Sequence, residues 1–335
     1  MFIVNSYTLA VIFCIVTMLC WGSWGNTQKL AAKSWRFELF YWDYVTGILI
    51  FSLISAFTLG SIGSQGRSFI PDLMQADIGN IGSALLGGFV FNAANILLSA
   101  SIAVSGLAVA FPVGIGLALV LGVLINYLAS AKGDPVLLFL GVGLVVVAII
   151  SNAIAYKKMS FGIQGKLSTK GIVLALVAGL LMSFFYRFVA ASMDLDNFIS
   201  PAAGMMTPYT AMFVFAVGIF LSNFIFNTIA MKNPVQGEPT NIGEYFRGSL
   251  KTHSVGILGG LIWGLGNAFS LIAAGKAGAA ISYGLGQGAT MVAAMWGVFI
   301  WKEFKGSSKD VDRLLAAMFC FFIAGLACII LAGQN

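Results

Sequence analysis

The sequence predicts an all-α membrane protein of ten transmembrane helices arranged as two inverted five-helix repeats. Three observations carry this. Of 335 residues, 59% are hydrophobic and only 9% charged, where a soluble domain carries about 25% charged residues. The apolar residues fall in runs of about 20, the length that crosses ~30 Å of hydrocarbon as a helix. Finally, Gly87 to Val120 lies over Gly259 to Val292 without a gap, at an offset of 172 residues. Gly87, Gly88, Asn95, Gly106, Ala108, Gly114, Gly116 and Val120 meet Gly259, Gly260, Asn267, Gly278, Ala280, Gly286, Gly288 and Val292. A membrane chain built from two copies of one unit is expected to be a carrier, with its site where the copies meet.

The runs are, in order, 7–27, 40–60, 79–102, 107–128, 135–156, 171–192, 205–229, 253–274, 279–301 and 311–332. The first lacks a basic leader, and Trp21-Gly-Ser-Trp24 makes a poor cleavage site, so it is expected to be retained as a helix. The polar stretches near 61–77 and 230–252 are too short to hold a soluble core. Cys14, Cys20, Cys320 and Cys328 all lie in apolar runs and suggest no disulfide framework. His253 is the only histidine, so a histidine-rich metal site is not expected, and no cofactor or nucleic-acid motif is present. No Walker sequence, His-Glu-x-x-His or Gly-x-Ser-x-Gly appears, which argues against ATP drive, an intramembrane protease or a lipase.

Alternate loops differ in charge. Odd loops carry Lys29, Lys33, Arg36, Lys157, Lys158, Lys166, Lys170, Lys232, Arg247, Lys251, Lys302, Lys305, Lys309 and Arg313, fourteen in all; even loops carry Arg67, Lys132 and Lys276. Basic loops stay in the cytoplasm during insertion, so both termini are expected outside. Five helices per half then turn the second half upside down. The divisions are 1–156, a cytoplasmic connector 157–170 with Gly162 and Gly165, and 171–335.

Particular motifs narrow the class. Cys20-Trp-Gly-Ser-Trp-Gly25 ends the first run and Asp43-Tyr44 opens the second. That run closes with Ala56-Phe-Thr-Leu-Gly-Ser-Ile-Gly63; Gly87-Gly88 and Asn95 mark the third, and Asn126-Tyr127 ends the fourth. The chain resembles the ureide permease family of the drug/metabolite transporter superfamily, most clearly over 15–130. The resemblance implies ten helices with outside termini and proton-driven uptake of small neutral heterocycles such as allantoin and uracil. The plant members have a long central cytoplasmic loop, where this chain has a short link. The glucose/ribose and rhamnose porters of the superfamily are the second reading.

Several polar residues are then expected to serve transport. Arg187 lies deep enough in the sixth run to face a cavity or a partner, Asp194 and Asp196 being nearest in sequence; the alternative is snorkelling to headgroups. Asp43, in Tyr41-Trp-Asp-Tyr44, suits a proton-carrying carboxylate or a cytoplasmic gate, or an interfacial aspartate beside Lys29, Lys33 or Arg36. Asn95 and Asn267 hold matching places, with Asn92 one turn from Asn95. Amides in hydrocarbon either bond across helices or face a solute that donates and accepts. Trp24 and Asn26 close the first run among glycines, suited to stacking on a flat ring or to interfacial anchoring. Trp263, Tyr283 and Gln287 are the candidates from the second half, Gln287 within a glycine-rich seam, with Pro112 to Gly116 its analogue. Pro201, Pro208 and Tyr209 read as helix entry, and Glu303 as an interfacial charge beside Lys302 and Lys305. The expected partners are a small uncharged solute, a proton and membrane lipid. An exporter of lipophilic cations, using Asp43 with Trp42 and Trp24, is a further alternative.

Overall fold

The computed structural model describes residues 1–32, 35–106, 110–160 and 168–334. Lys33, Ala108, Gly162, Gly165 and Lys166, named above, lie outside the described residues. Among the described residues regular structure is helical, with one isolated bridge between Met193 and Met206.

Among the described residues nine helices are long and apolar enough to cross a membrane: α1 (Tyr7–Ala31), α2 (Phe37–Phe57), α4 (Ile78–Ser105), α5 (Phe111–Ala129), α6 (Pro135–Ser160), α7 (Thr169–Ala191), α8 (Pro208–Lys232), α10 (Leu250–Ala277) and α13 (Lys309–Ala332). The chain is an integral membrane protein. The run 279–301, expected as one helix, is broken. It forms α11 (Ala279–Gln287), α12 (Ala289–Met295) and a π-helical turn, Trp296–Ile300. The break falls at Gly288, whose N–H donates to Leu285 O, three residues back, at 3.0 Å. Glycine supports helix poorly, and Gly286 and Gly288 lie where a Cβ would meet Trp21 and Met18 at 2.7 Å. Two short helices, α3 (Phe69–Gln75) and α9 (Ile242–Tyr245), occupy the polar stretches. Hydropathy has no signal for them, because seven and four residues are too short to carry a helical period.

Chain reversal after α4 and α10 uses the same device 172 residues apart. Gly106 has φ 77° and Gly278 φ 83°, and each N–H caps its helix by donating to the residue four before, Ile102 O and Ala274 O, at 2.8 Å. A residue with a Cβ is strained there.

Helix crossings repeat as well. α4 packs on α7 and α8, while α10 packs on α1 and α2. Backbones meet at glycines in both places. A Cβ on Gly88 would lie 2.2 Å from Phe215 O, and one on Gly218 2.5 Å from Leu85 O. At the crossing of α2 and α10, a Cβ on Gly47 would lie 2.3 Å from Ile257 O, and one on Gly260 2.0 Å from Tyr44 O. α6 and α13 meet reciprocally: a Cβ on Gly141 would lie 2.6 Å from Gly325 O, and one on Gly325 2.7 Å from Gly141 O. Small residues let membrane helices approach where dispersion, and not the hydrophobic effect, holds them.

The two faces of the bundle are sealed differently. At the face holding the chain ends, Tyr7 donates to Ile330 O and Tyr209 to Phe2 O, and Phe2, Phe13 and Phe269 stack in series. Asp72 on α3, fully buried, is bonded by the Arg67 Nε at 3.0 Å and the Thr207 N–H at 2.7 Å. At the opposite, basic face a vestibule of about 680 Å³ opens between the ends of α1, α2 and α4, with Val235 to Gly237 and Glu303 on its wall.

Candidate solute site

Three spaces run inward from the basic face, from the vestibule to a side chamber and a central aromatic box. The box lies midway along the bundle, between α1, α4, α5, α7, α10 and α11. Trp21 and Trp263 stack in parallel at 5.9 Å and 9°, and Phe91 leans on Trp263 at 4.3 Å with Phe185 behind it at 5.2 Å. Trp24 closes the side against Tyr44 at 4.8 Å. The polar side chains on the wall are Asn95 and Gln287, and no charged group lines it. The free space is about 30 Å³, room for a water molecule and not for a heterocycle, so the rings must part to admit a solute.

Local sequence explains this placement. Trp21 and Trp24 are three residues apart and share one face of α1. Trp21 is brought close by Gly266 on α10, where a Cβ would meet its ring at 2.9 Å. The Trp21 indole N–H is buried with no hydrogen-bond partner, a donor beside the box. Asn95 is held from behind. Its Nδ2 donates to Tyr41 Oη at 3.2 Å, Tyr41 donates to Asn92 Oδ1 at 3.0 Å, and Asn92 Nδ2 donates to Ser222 Oγ at 2.9 Å. This chain ties α2, α4 and α8 together and fixes the amide's orientation.

Four of the sequence-derived residues therefore meet around one space: Trp24, Asn95, Trp263 and Gln287. The others are placed elsewhere. Asn92 stands one turn behind the wall in the chain just described. Asn267 is fully buried, with Nδ2 3.0 Å from Met212 S and Oδ1 without a partner. Tyr283 bonds the carbonyls of Ala118 and Met182 at 3.2 Å, joining α11 to α5 and α7. Asn26 lines the side chamber, accepting the Trp301 indole N–H at 2.7 Å. Arg187 is half-buried and has no hydrogen bond or ion pair among the described residues; Asp194 instead accepts the Ala202 N–H at 2.9 Å.

Asp43 sits at the basic-face end of α2, buried, away from the three spaces. Neither Lys29 nor Arg36 contacts it. His253 Nδ1 lies 2.9 Å from its Oδ1 and 3.0 Å from Oδ2, and Tyr245 donates to Oδ1 at 2.6 Å. α10 comes this close because Gly256 faces Asp43 Cβ. Burial, then the adjoining carboxylate, push the Tyr245 hydroxyl above its ordinary value, so it stays protonated and donates. The sole histidine was legible only as an absence of metal chemistry, yet it partners the aspartate. Arg36 meanwhile grips Glu38, at 3.1 and 3.3 Å. Glu303 likewise departs from expectation: its carboxylate is bonded by Lys29 of α1 and Tyr156 of α6, both at 2.6 Å.

Sequence reasoning also passed over Phe91 and Phe185 as site residues. A signal for Phe91 existed, since the offset that pairs Asn95 with Asn267 pairs Phe91 with Trp263.

Known proteins agree with this architecture. A solved crystal structure of a protein 14% identical superposes with a TM-score of 0.59, covering 98% of this chain and 99% of its own, which shows a shared fold. Ureide permease 4 of Arabidopsis thaliana is 24% identical over 393 residues, covering 98% of both chains, and ureide permease 2 of the same plant is 23% identical over 389 residues with the same coverage. A protein of Streptococcus pyogenes serotype M1 described as a putative sugar uptake protein is 33% identical over 67 residues, 20% of this chain and 23% of its own. The family model for ureide permeases matches residues 40–169 and 153–332, and on that match the chain belongs to the ureide permease family.

Proposed function

We propose that the protein is a secondary carrier of a small neutral polar solute, a ureide or nucleobase-like heterocycle, moved by alternating access and driven by protons. The observation that carries this is the central box. Stacked indoles and phenyl rings suit a flat ring, two primary amides suit its N–H and C=O edges, and no charge is present to balance a charged cargo. Membership of the ureide permease family agrees with it.

The reading extends to the fold. The 172-residue offset, the paired glycine crossings and the Gly106 and Gly278 turns support two inverted five-helix halves, with α11, α12 and the π-turn as a broken tenth span. Discontinuous helices at the site suit this class of carrier. If the basic face is cytoplasmic, both termini lie outside and the open vestibule makes this the inward-facing state. Asp43, His253 and Tyr245 then form a cytoplasmic latch holding α9 against α2 and α10, and Arg187 is a gating residue at the outer end.

Uptake of radiolabelled allantoin, uracil, glucose and rhamnose into proteoliposomes tests this, with and without an inward proton gradient. Saturable uptake of a heterocycle that rises with the gradient is expected. Transport of a sugar instead would favour the second reading, which rests on the short streptococcal similarity and on the suitability of indoles for the apolar face of a sugar. Transport of none of the four removes the uptake assignment.

A further inference from the structure

Between the box and the vestibule lies a side chamber lined by Asn26, Asn152, Tyr156, Thr290, Trp301 and Glu303 among apolar neighbours. Glu303 is the one charged group lining it, and the same residue lines the vestibule. Phe111 is shared between chamber and box, so the carboxylate stands one layer below the solute site, on the way to the basic face.

The backbone that delivers Glu303 is unusual. It follows the π-turn Trp296–Ile300, and among the described residues Lys302, just before it, is the only non-glycine with positive φ, 53°. A π-turn and a left-handed lysine are both costly local conformations that collect at functional sites. Here they aim the carboxylate back toward α1 and α6. One oxygen accepts from Lys29 Nζ and the other from Tyr156 Oη. Lys29 also lies over the Trp301 ring, 4.4 Å from its centroid, and Trp301 bonds Asn26 on the chamber wall. Asn152 adds a buried amide oxygen with no partner, on that same wall. A chamber without a function would be expected to hold neither an unpartnered buried amide nor a carboxylate delivered by strained backbone.

We propose that Glu303 is the proton-binding carboxylate that couples the carrier, and that Lys29 competes with the proton for it. The inference rests on the carrier reading above. In the arrangement seen here the vestibule is open, water reaches the carboxylate, and the ionised form is held by the Lys29 ammonium and the Tyr156 hydroxyl. When the vestibule closes and water leaves, an ionised carboxylate becomes costly. A proton taken from solution onto one carboxylate oxygen neutralises it and releases Lys29, which frees α1 from the 296–303 segment while Tyr156 of α6 can still donate to the other oxygen. Reopening returns the proton to water and Lys29 to its partner. The groups that face Glu303 are Lys29 from α1, Tyr156 from α6 and, across the vestibule, the Arg36–Glu38 pair; Lys302 and Lys305 flank it in its own turn. Both of its oxygens are already hydrogen-bonded, which fits a proton better than a coordinated metal cation.

The test uses the full chain in proteoliposomes, with allantoin as probe. Under an inward gradient of one pH unit, one-to-one coupling sustains up to about tenfold accumulation in the wild type. Glu303→Gln is expected to keep allantoin exchange across equal concentrations, to make it independent of pH, and to accumulate none above equilibrium. Lys305→Gln, an exposed neighbour, should behave as wild type. Accumulation by Glu303→Gln near the wild-type level overturns the proposal, and so does accumulation that follows a sodium gradient at constant pH. If Glu303→Gln fails to insert, Lys29→Gln decides. With the competing ammonium removed, the pH profile of accumulation moves upward, and an unmoved profile overturns the proposal. A readout free of any solute separates this from failure of the carrier reading. Intrinsic fluorescence titrated with pH should show a step that Glu303→Gln and Trp301→Phe both remove, because Trp301 lies beneath Lys29. Absence of that step in the wild type refutes the role of Glu303 even if transport is found, and its presence sustains the role even if allantoin is not the cargo.

Discussion

Replacing Gly260 by alanine puts the helix-crossing account at risk most directly. An added Cβ would lie 2.0 Å from Tyr44 O and 2.8 Å from Gly47 Cα, both backbone atoms that no rotamer can move. Ordinary contact begins near 3.4 Å, so α10 and α2 must part by about 1.4 Å, and overpacking of this kind costs roughly 1–3 kcal/mol. Against that, a helical Gly→Ala change gains about 0.5–1 kcal/mol by itself. The net effect is a loss of roughly 0–2.5 kcal/mol, or on the order of 0–8 °C in midpoint. Gly88→Ala, 2.2 Å from Phe215 O in the matching crossing, should do nearly the same. Gly82→Ala is the control. It lies in α4 with nothing within 4 Å, so only the helix gain remains and the midpoint should rise. The assay is the fraction of detergent-solubilised protein that stays monodisperse in size exclusion after heating. Because α10 carries Trp263 and Asn267, Gly260→Ala should also abolish uptake. A midpoint for Gly260→Ala at or above that of Gly82→Ala would show that the two backbones are not in contact, and the crossing argument would fall.

Three further outcomes are expected. Trp263→Ala removes the ring that packs on Trp21, Phe91 and Phe215, and with an aromatic contact contributing about 0.5–1.5 kcal/mol, half-saturation for the transported solute should rise roughly tenfold while insertion is retained; an unchanged value would take the box out of the path. Asp72→Ala removes the carboxylate from Arg67, which keeps the Ala202 and Met205 carbonyls, and leaves the buried Thr207 N–H unpaired; losing such a charge-assisted bond costs about 1.5–3 kcal/mol, read as a drop in thermal midpoint that Met74→Ala, an exposed neighbour on α3, does not share. Tyr245→Phe deletes the bond to Asp43 while keeping the ring against His253 at 4.7 Å; hydrogen exchange over 242–249 should rise by at least tenfold, since a bond to a charged acceptor contributes about 1.5–3 kcal/mol, and equal protection would deny the latch.

Hydropathy located the spans because a lipid-facing helix must be apolar along its length. Nine of the ten runs are single helices ending within a few residues of the expected positions, 253–274 appearing as Leu250–Ala277, for instance. Where it failed, the chain answered to local backbone needs. Gly288 breaks the ninth run although the run stays apolar, because the close fit of Gly286 and Gly288 against α1 matters there more than helix propensity. α3 and α9 were invisible because seven and four residues carry no period. At the site the repeat was the better guide. It singled out Asn95, which reaches the box, but could not say that Asn267, equally matched, turns to Met212 and away from the box. Pairings between distant segments were the least legible. Charge proximity in sequence suggested Lys302 for Glu303 and Arg36 for Asp43, whereas folding delivers Lys29 from 274 residues away and His253 from 210.

The distribution of charge along the path is itself an argument about selectivity. The box wall offers amides and aromatic rings, and the charged side chain lining the neighbouring chamber is Glu303. A charged solute entering the box would give up its hydration with no counter-ion in reach, a loss of many kcal/mol. A purely apolar one would offer no hydrogen bond to Asn95 or Gln287, and each amide group left unsatisfied on the box side forfeits about 1–3 kcal/mol. A flat neutral solute with N–H and C=O groups along its edge avoids both losses, since it can satisfy the amides while the rings cover its faces. Discrimination then arises mainly from desolvation, which requires the box to be dry when occupied. The small free volume and the stacked Trp21 and Trp263 provide that condition, and keeping Glu303 outside the box lets a charge take part in coupling without admitting charged cargo.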